Sequence, residues 1–288
     1  MLHVPRGRVA RWFMRFGMDM RQQHLEWQQV VARARLAEDL GFDGAWALDH
    51  FQAMEGEGSG AIFEGMTTIA AVASATTRIR LGLLVAGVTY RHPSVLAYEA
   101  MTVDHVSQGR LELGLGAAWM EAEHRALGID FPSAGQRFDL LEDALEIITR
   151  LMTGERVSYS GRRLSLDDAR MVPKPVQRPH PPIWIGGSGP RRTIPLVARW
   201  ADVWHAFGTP ESLEPLSQQI DRLAEDAGRD PASIRRASVL SLSEPLDDVR
   251  RTTEGWRNAG FEYLVCAWPE EGRGRVEKYA PRLIQEFA

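Results

Sequence analysis

Cysteine occurs once in the 288 residues, as Cys266, and lysine only twice, as Lys174 and Lys278. A single cysteine cannot form a disulfide within the chain, which excludes a disulfide framework and favours a reducing compartment, the cytoplasm. No apolar run approaches the ~20 residues of a membrane span, and the arginine-rich start lacks the apolar core of a signal peptide. We therefore expect a cytoplasmic protein with no membrane partner.

The charged residues are balanced and scattered, with 38 acidic against 34 basic side chains and a net charge of −4. Because the arginines are interspersed with acids and form no basic stripe, nucleic-acid binding is not expected. A hydrophobic content of 44%, with 9 Trp and 10 Phe, exceeds that of a disordered chain. The composition is that of a soluble globular protein.

Short apolar or β-branched runs alternate with segments of helical period, which is typical of a parallel sheet buried on both faces. Strands are predicted over Phe13–Met18, Gly44–Leu48, Ile79–Val85, Arg110–Leu115, Ile183–Gly186, Asp202–Ala206, Ala237–Ser243 and Glu262–Ala267. Helices are predicted over Trp27–Ala37, Glu64–Ala75, Ser94–Val106, Phe138–Met152, Pro190–Trp200, Leu213–Ala227, Leu246–Asn258 and Val276–Phe287. Eight such pairs favour a single (β/α)8 TIM barrel over an open sheet.

The domain organisation follows from the lengths of the connections. Residues 14–288 are expected to form one barrel domain, and residues 1–13 an N-terminal extension. One connection, about 117–182, is much longer than the others and contains a helix followed by an irregular arm. Long insertions at the carboxyl ends of barrel strands usually cover an active site, and we expect this one to do so.

Functional side chains of a barrel gather where strands end. The second strand ends at Asp49 and His50, a carboxylate beside an imidazole that can relay a proton near neutral pH. Adjacent residues of an extended chain point to opposite faces, so both are also consistent with separate structural roles. Glu121, Glu123 and His124 lack a metal-ligand spacing and are interpreted as the solvated face of a helix, so no metal site is predicted.

Glycines mark the ends of two further strands. Gly82 and Gly87 bracket the third strand and would let it bulge towards a flat ligand, although a plain buried strand is the simpler interpretation. The fourth strand ends at Gly116, which permits close approach of a ligand. Nearby, Trp119 either walls a pocket or fills the core. These positions are candidates for a binding cavity at the barrel mouth.

The turn after the fifth strand is the most informative segment. Gly186, Gly187, Ser188 and Gly189 expose consecutive backbone amides, and Pro190 suits the first turn of a following helix. The positive end of that helix, with Arg191 and Arg192 nearby, favours a bound anion such as a phosphate. A tight strand-to-helix connection is the alternative.

Five ordered segments resemble the bacterial luciferase-like monooxygenase superfamily, in the branch that uses the deazaflavin coenzyme F420. The resemblance extends from about Arg15 to Phe287, and its most specific parts are Ala37–Gly44 with Glu-Asp-Leu-Gly-Phe-Asp, Asp49–Phe51, Tyr90–Pro93, Ser107–Gly116 and Pro173–Gly189. It implies a (β/α)8 barrel whose mouth holds the cofactor, and a homodimer. The implied activity is hydride transfer between F420 and a small organic substrate, with His50 as proton donor, acceptor or orienter.

The resemblance also implies positions for the cofactor. Its ring would rest on Leu84, Val85 and Ala86, with a non-proline cis peptide bond expected at Leu84–Val85. The phosphate-bearing tail would follow Gly186–Gly189, and Arg191, Arg192 or Lys174 would meet its carboxylates. Relatives often have glycine in place of Ala118, so the strand end here is expected to approach the cofactor less closely. An FMN-dependent monooxygenase, a non-catalytic flavin- or deazaflavin-binding protein and a metal-dependent hydrolase are the alternatives.

Overall fold

A computed structural model describes residues 13–54 and 58–288. Its strands are β1 (Arg15–Asp19), β2 (Gly44–Ala47), β3 (Arg80–Leu83), β4 (Ala86–Gly87), β5 (Leu111–Gly116), β6 (Val157–Ser160), β7 (Ser165–Ala169), β8 (Ile183–Gly186), β9 (Val203–His205), β10 (Arg235–Ser241) and β11 (Tyr263–Ala267). Parallel pairing runs β3-β2-β1-β11-β10-β9-β8-β5, and pairing of β3 with β5 closes the barrel. The predicted eight-stranded TIM barrel is confirmed.

The helices are α1 (Trp27–Asp39), α2 (Gly65–Ala75), α3 (Pro93–Val106), α4 (Glu121–Leu127), α5 (Ala134–Thr153), α6 (Thr193–Trp200), α7 (Pro210–Asp226), α8 (Leu246–Asn258) and α9 (Arg273–Phe287). Eight were predicted, and α4 is additional. The prediction that Pro190 lies in the first turn of α6 is wrong, because a turn occupies residues 190–192 and the helix begins at Thr193. None of the described helices is long and apolar enough to cross a membrane.

Three aromatic side chains fill the barrel interior. The rings of Trp46 and Trp184 lie 4.2 Å apart, and Tyr263 meets both edge to face. Glycine provides the space for them: a Cβ on Gly17 would lie 2.4 Å from Trp46 Nε1, and one on Gly44 would lie 2.4 Å from the Tyr263 hydroxyl. This dense packing fills the barrel below the carboxyl ends of the strands.

Cys266 lies in β11 and is fully buried. Burial raises the pKa of its thiol. The cysteine is therefore a core residue between the apolar side chains of Val265 and Ala267.

The long insertion between β5 and β8 is more regular than predicted. Its arm contains an antiparallel hairpin of β6 and β7, which the irregular composition of the segment did not indicate. Asp143 of α5 holds the hairpin by accepting hydrogen bonds from the Tyr159 hydroxyl and from the backbone amides of Arg162, Arg163 and Leu164. The predicted N-terminal extension, apart from the exposed Phe13, lies outside the described residues.

Candidate active site

A cavity of about 330 Å³ lies at the carboxyl ends of the barrel strands. That volume is within the range of small-molecule sites. Of the residues singled out from the sequence, the cavity is lined by Asp49, His50, Leu84, Val85, Ala86, Gly87, Gly116, Ala118, Trp119, Gly186 and Gly187. Ser188, Gly189 and Arg191 are not part of its wall. Trp119 is 65% exposed, so it walls the cavity and does not fill the core.

The third barrel strand is interrupted at the cavity. β3 ends at Leu83, the Leu84–Val85 peptide bond is cis, and pairing resumes in β4. The cis bond implied by the resemblance is confirmed. The Val85 side chain packs against two glycines, since a Cβ on Gly116 would lie 2.7 Å, and one on Gly186 3.0 Å, from Val85 Cγ2.

Ala118 is the position at which the resemblance implies glycine in many relatives. Its φ is +57°, in the left-handed region that glycine occupies most readily. Ala118 lines the cavity, and its methyl group lies close to β4. A Cβ added to Gly87 would lie 3.5 Å from the Cβ of Ala118. The methyl group therefore takes up space at the mouth that a glycine would leave open.

Asp49 forms a buried ion pair and does not contact His50. Arg91 Nη1 and Nη2 donate to the two carboxylate oxygens of Asp49, each at 2.9 Å, and the amide of Gly87 donates to Oδ2 at 2.8 Å. Burial opposes the charge on Arg91, but the carboxylates of Asp49, Glu99 and Glu64 outweigh it and raise the pKa of the guanidinium. The geometry therefore assigns Asp49 to fixing the β4 backbone beneath the cavity.

The partner of His50 is Glu123 of α4. His50 Nδ1 lies 3.1 Å from Glu123 Oε2, and the hydroxyl of Tyr90 donates to the same oxygen. The backbone amides of Phe51 and Gln52 donate to Oε1 at 2.5 and 2.7 Å. One fully buried carboxylate thus collects four hydrogen bonds at the wall of the cavity.

Glu123 is ionised in this setting. Burial alone would raise the pKa of its carboxyl group, but the hydrogen bonds from His50, Tyr90 and the two amides outweigh burial and lower it to about 2. An ionised carboxylate only accepts hydrogen bonds, so His50 Nδ1 carries a hydrogen and donates it. Nε2 is then the nitrogen of His50 that is left to serve a ligand.

The interpretation of Glu123 and His124 as a solvated helical face is wrong, because both are fully buried. His124 Nδ1 donates to the Met120 carbonyl, and its Nε2 lies 2.7 Å from Thr89 Oγ1, while the ring stacks on Tyr90 at 4.5 Å. The helical spacing of Met120, Glu123 and His124 places all three on one face. That spacing was the signal, in the sequence, that the polar pair lies inward.

The turn after β8 has a different geometry from the predicted cradle. Gly187 has φ +119° and donates its amide to the His205 carbonyl at 2.9 Å, while the amides of Ser188 and Gly189 donate to no protein group in the described ranges. Arg192 Nη2 instead pairs with Asp139 Oδ1 at 2.6 Å. Lys174, the third side chain offered for the carboxylates of a cofactor, donates from its ammonium to the carbonyls of Leu151 and Gly154.

His205, at the end of β9, was not singled out from the sequence although it follows the strand-end rule. It is 2% exposed and lines the cavity, and its Nε2 is buried without a hydrogen-bond partner among the described residues. Burial lowers the pKa of the imidazole to about 4, so the ring is neutral at physiological pH. Phe207 stands edge-on to it at 5.2 Å.

Comparisons with known proteins agree with this architecture. The profile of the luciferase-like monooxygenase family matches residues 11–262. The chain is similar to the F420-dependent glucose-6-phosphate dehydrogenase of Microbacterium testaceum (strain StLB037), with 35% identity over 92% of this chain and 88% of that relative. It is also similar to the F420-dependent hydroxymycolic acid dehydrogenase of Mycobacterium tuberculosis (strain ATCC 25618 / H37Rv), with 29% identity over 84% of this chain. It spans 66% of the length of that relative.

Among solved structures, the chain resembles an F420-dependent secondary alcohol dehydrogenase in complex with an F420-acetone adduct. The TM-score is 0.80, and the match covers 95% of this chain and 98% of the other. With 17% sequence identity, this likeness shows the fold alone.

Proposed function

Because the chain belongs to the luciferase-like monooxygenase family, we propose that it transfers a hydride between the deazaflavin coenzyme F420 and a small organic substrate. The observation that carries the proposal is the pairing of His50 with the ionised Glu123 at the wall of the cavity. Hydride transfer to or from a carbon that bears oxygen is accompanied by movement of a proton at that oxygen. A histidine with one nitrogen fixed and the other facing a ligand is suited to that proton.

The lining of the cavity suits the flat, largely apolar ring of the cofactor in polarity. Its floor is formed by the backbone and apolar side chains of Leu84 to Ala86. The Nε2 of His205, which has no hydrogen-bond partner among the described residues, offers a hydrogen bond to a ligand. In our proposal the cofactor is held by Leu84, Val85, Ala86, Gly116, Trp119, Gly186, Gly187, Ser188, Gly189 and Arg191. When bound, F420 supplies or accepts the hydride.

The protein's own side chains have separate tasks in this proposal. His50 holds or moves the substrate proton at Nε2, and Glu123 fixes the ring through Nδ1. Asp49 and Arg91 keep the β4 backbone in place under the cavity. Trp119 and Phe138, both from the 117–182 insertion, line the mouth and exclude water from it.

The free amides of Ser188 and Gly189 support the placement of a phosphate near the start of α6. Arg191 is exposed there and is available to an anionic tail. We also propose that the enzyme works in the cytoplasm as a homodimer, with residues 14–288 as its single catalytic domain. The single, buried cysteine supports the cytoplasmic part of this proposal.

Titration of the purified protein with F420, and separately with FMN, tests the cofactor. We expect saturable quenching of F420 fluorescence with a Kd in the micromolar range or below and no saturable response to FMN. The alternative, an FMN-dependent monooxygenase, is kept because the family is named for monooxygenases. Micromolar binding of FMN without binding of F420 overturns the proposal in its favour.

Substitution of His50 by alanine tests the acid–base role. With F420 binding retained, turnover is expected to fall by about 100-fold or more, the usual contribution of a positioned proton donor or acceptor. Unchanged turnover in this variant contradicts the role of His50. A wild-type protein that binds F420 but never changes its absorbance with any substrate supports the non-catalytic alternative.

A further inference from the structure

Apart from Arg191, which the proposed function assigns to the anionic tail of the cofactor, the arginines near the cavity in the described part of the chain are engaged by protein groups. No lysine or arginine lines the wall in the described part of the chain. Arg91, beneath the floor, is held by three carboxylates, and Arg192 by Asp139. Arg137 donates to the carbonyls of Ala117 and Pro132. A phosphate or carboxylate on a substrate would therefore be desolvated here without a cation to pair with, which is costly.

Two exposed aromatic rings stand at the mouth of the cavity. Trp119 is 65% and Phe207 72% exposed, which is unusual for rings of this size in a folded protein. Each meets a histidine edge-on, Trp119 with His50 at 5.6 Å and Phe207 with His205 at 5.2 Å. Both rings line the cavity and offer apolar contact area to a ligand, Trp119 beside the histidine that follows β2 and Phe207 beside the histidine that ends β9.

The buried polar group left for a ligand, the imidazole of His205, carries no charge at neutral pH. His205 is buried, its Nε2 has no partner among the described residues, and burial disfavours its protonated form. A neutral imidazole donates or accepts a hydrogen bond, as a hydroxyl or carbonyl group requires. A buried polar atom without a partner costs stability until a ligand supplies one.

We propose that the substrate of this site is an uncharged, largely apolar alcohol or carbonyl compound, contacted by Trp119 and Phe207, and not a phosphorylated sugar. The inference rests on the proposed function, in which hydride and proton leave, or join, a carbon and its oxygen. Away from the reacting carbon and oxygen, the substrate is expected to be a hydrocarbon with at most one or two neutral polar groups.

The test measures cofactor and substrate binding separately. Calorimetric titration of the F420-loaded protein with cyclohexanone or cyclohexanol is compared with titration with glucose 6-phosphate. Expected is saturable binding of the cyclohexane compounds at least tenfold tighter than that of the sugar phosphate. Equal or tighter binding of glucose 6-phosphate, or no binding of either cyclohexane compound at millimolar concentration, overturns the proposal.

Substitution of Phe207 by alanine locates the binding surface. We expect about a tenfold loss of cyclohexanone affinity, with unchanged F420 affinity and unchanged melting temperature. Phe13→Ala is the matched control, because Phe13 is also 72% exposed but lies outside the cavity. Equal cyclohexanone affinity in wild type and both variants overturns the proposed contact.

The same titrations of cofactor-free protein separate the two proposals. A protein that fails to bind F420 but prefers cyclohexanone over glucose 6-phosphate refutes the proposed cofactor and retains the substrate class. A protein that binds F420 and prefers the sugar phosphate refutes the substrate class and retains the proposed function.

Discussion

Nδ1 of His50 lies 3.1 Å from Oε2 of Glu123, although the two residues are 73 positions apart in the chain. The ionised carboxylate fixes both the orientation of the imidazole and the nitrogen that carries the hydrogen. The remaining nitrogen is thereby set for exchange with a ligand before any ligand arrives. Such pre-orientation of an acid–base group lowers the cost of reaching the reactive geometry.

Replacement of Glu123 by glutamine is expected to lower kcat by about 100-fold, because an amide cannot hold the imidazole as an ionised carboxylate does. F420 affinity should stay within about twofold, since Glu123 lies behind His50. The measurement is steady-state kinetics together with fluorescence titration of the cofactor. The amide nitrogen of glutamine accepts no hydrogen bond, so the donors that face it, either Tyr90 or the two backbone amides, lose their acceptor and a moderately lower melting temperature is expected.

Glu121→Gln is the control for this substitution. It makes the same chemical change on the same helix, at an exposed position two residues away. Its kcat and melting temperature should equal those of the wild type. A Glu123→Gln enzyme with wild-type kcat would show that His50 needs no positioning partner.

The sequence predicted the barrel because strand and helix periods differ sharply along this chain. Those periods also located His50, since a strand end is visible as the point where the apolar run stops. The periods could not identify the hydrogen-bond partner of His50, because Glu123 lies in the connection after a different strand. Whether Asp49 or Glu123 contacts the imidazole depends on the direction of each side chain in the folded structure. The cis peptide bond at Leu84–Val85 was expected from the family resemblance alone, because the hydrophobic pattern of this segment is equally consistent with an unbroken strand.

Helix ends and buried polar atoms were harder to predict. Pro190 has the right chemistry for a first helical turn, but the chain needs three more residues to leave the Gly186–Gly189 turn before α6 starts. His205 lies in a strand whose other residues are apolar, and this pattern predicts a buried strand without indicating a role for the histidine. Only the folded structure reveals that its Nε2 is buried without a hydrogen-bond partner in the described ranges.

Gly116→Ala tests the close packing around Val85. The added Cβ would lie 2.7 Å from Val85 Cγ2, closer than real contacts allow, so Val85 must move at the floor of the cavity. We expect at least a tenfold weaker binding of F420, measured by fluorescence titration. The double variant Gly116→Ala with Val85→Ala removes the clash and should recover part of the affinity. Equal affinity in wild type and Gly116→Ala would place the cofactor away from this floor.

Arg91→Met tests the buried ion pair beneath the cavity. The side chain of Arg91 is 10% exposed and that of Asp49 1%, so removing the guanidinium leaves a buried carboxylate without its cation. The free energy of unfolding should fall by about 3–5 kcal/mol, measured by urea denaturation. Arg251→Met is the matched control, because Arg251 pairs with Asp248 while 76% exposed, and the expected loss there is below about 0.5 kcal/mol. Similar losses in the two variants would contradict the structural role of the Asp49–Arg91 pair.

His205 makes stability depend on pH in a defined window. Burial lowers the pKa of its imidazole from 6.5 to about 4, so between these values the unfolded chain binds a proton that the folded protein does not. Stability from this group is therefore complete above pH 6.5 and is lost as the pH falls towards 4. Between pH 7 and pH 5 the free energy of unfolding of the wild type should fall by roughly 2 kcal/mol more than that of His205→Asn, which has no titrating group at this position. Urea denaturation of both proteins at pH 7, 6 and 5 measures the difference. Parallel pH dependences of the two proteins would show that the His205 imidazole binds a proton in the folded protein as readily as in the unfolded chain.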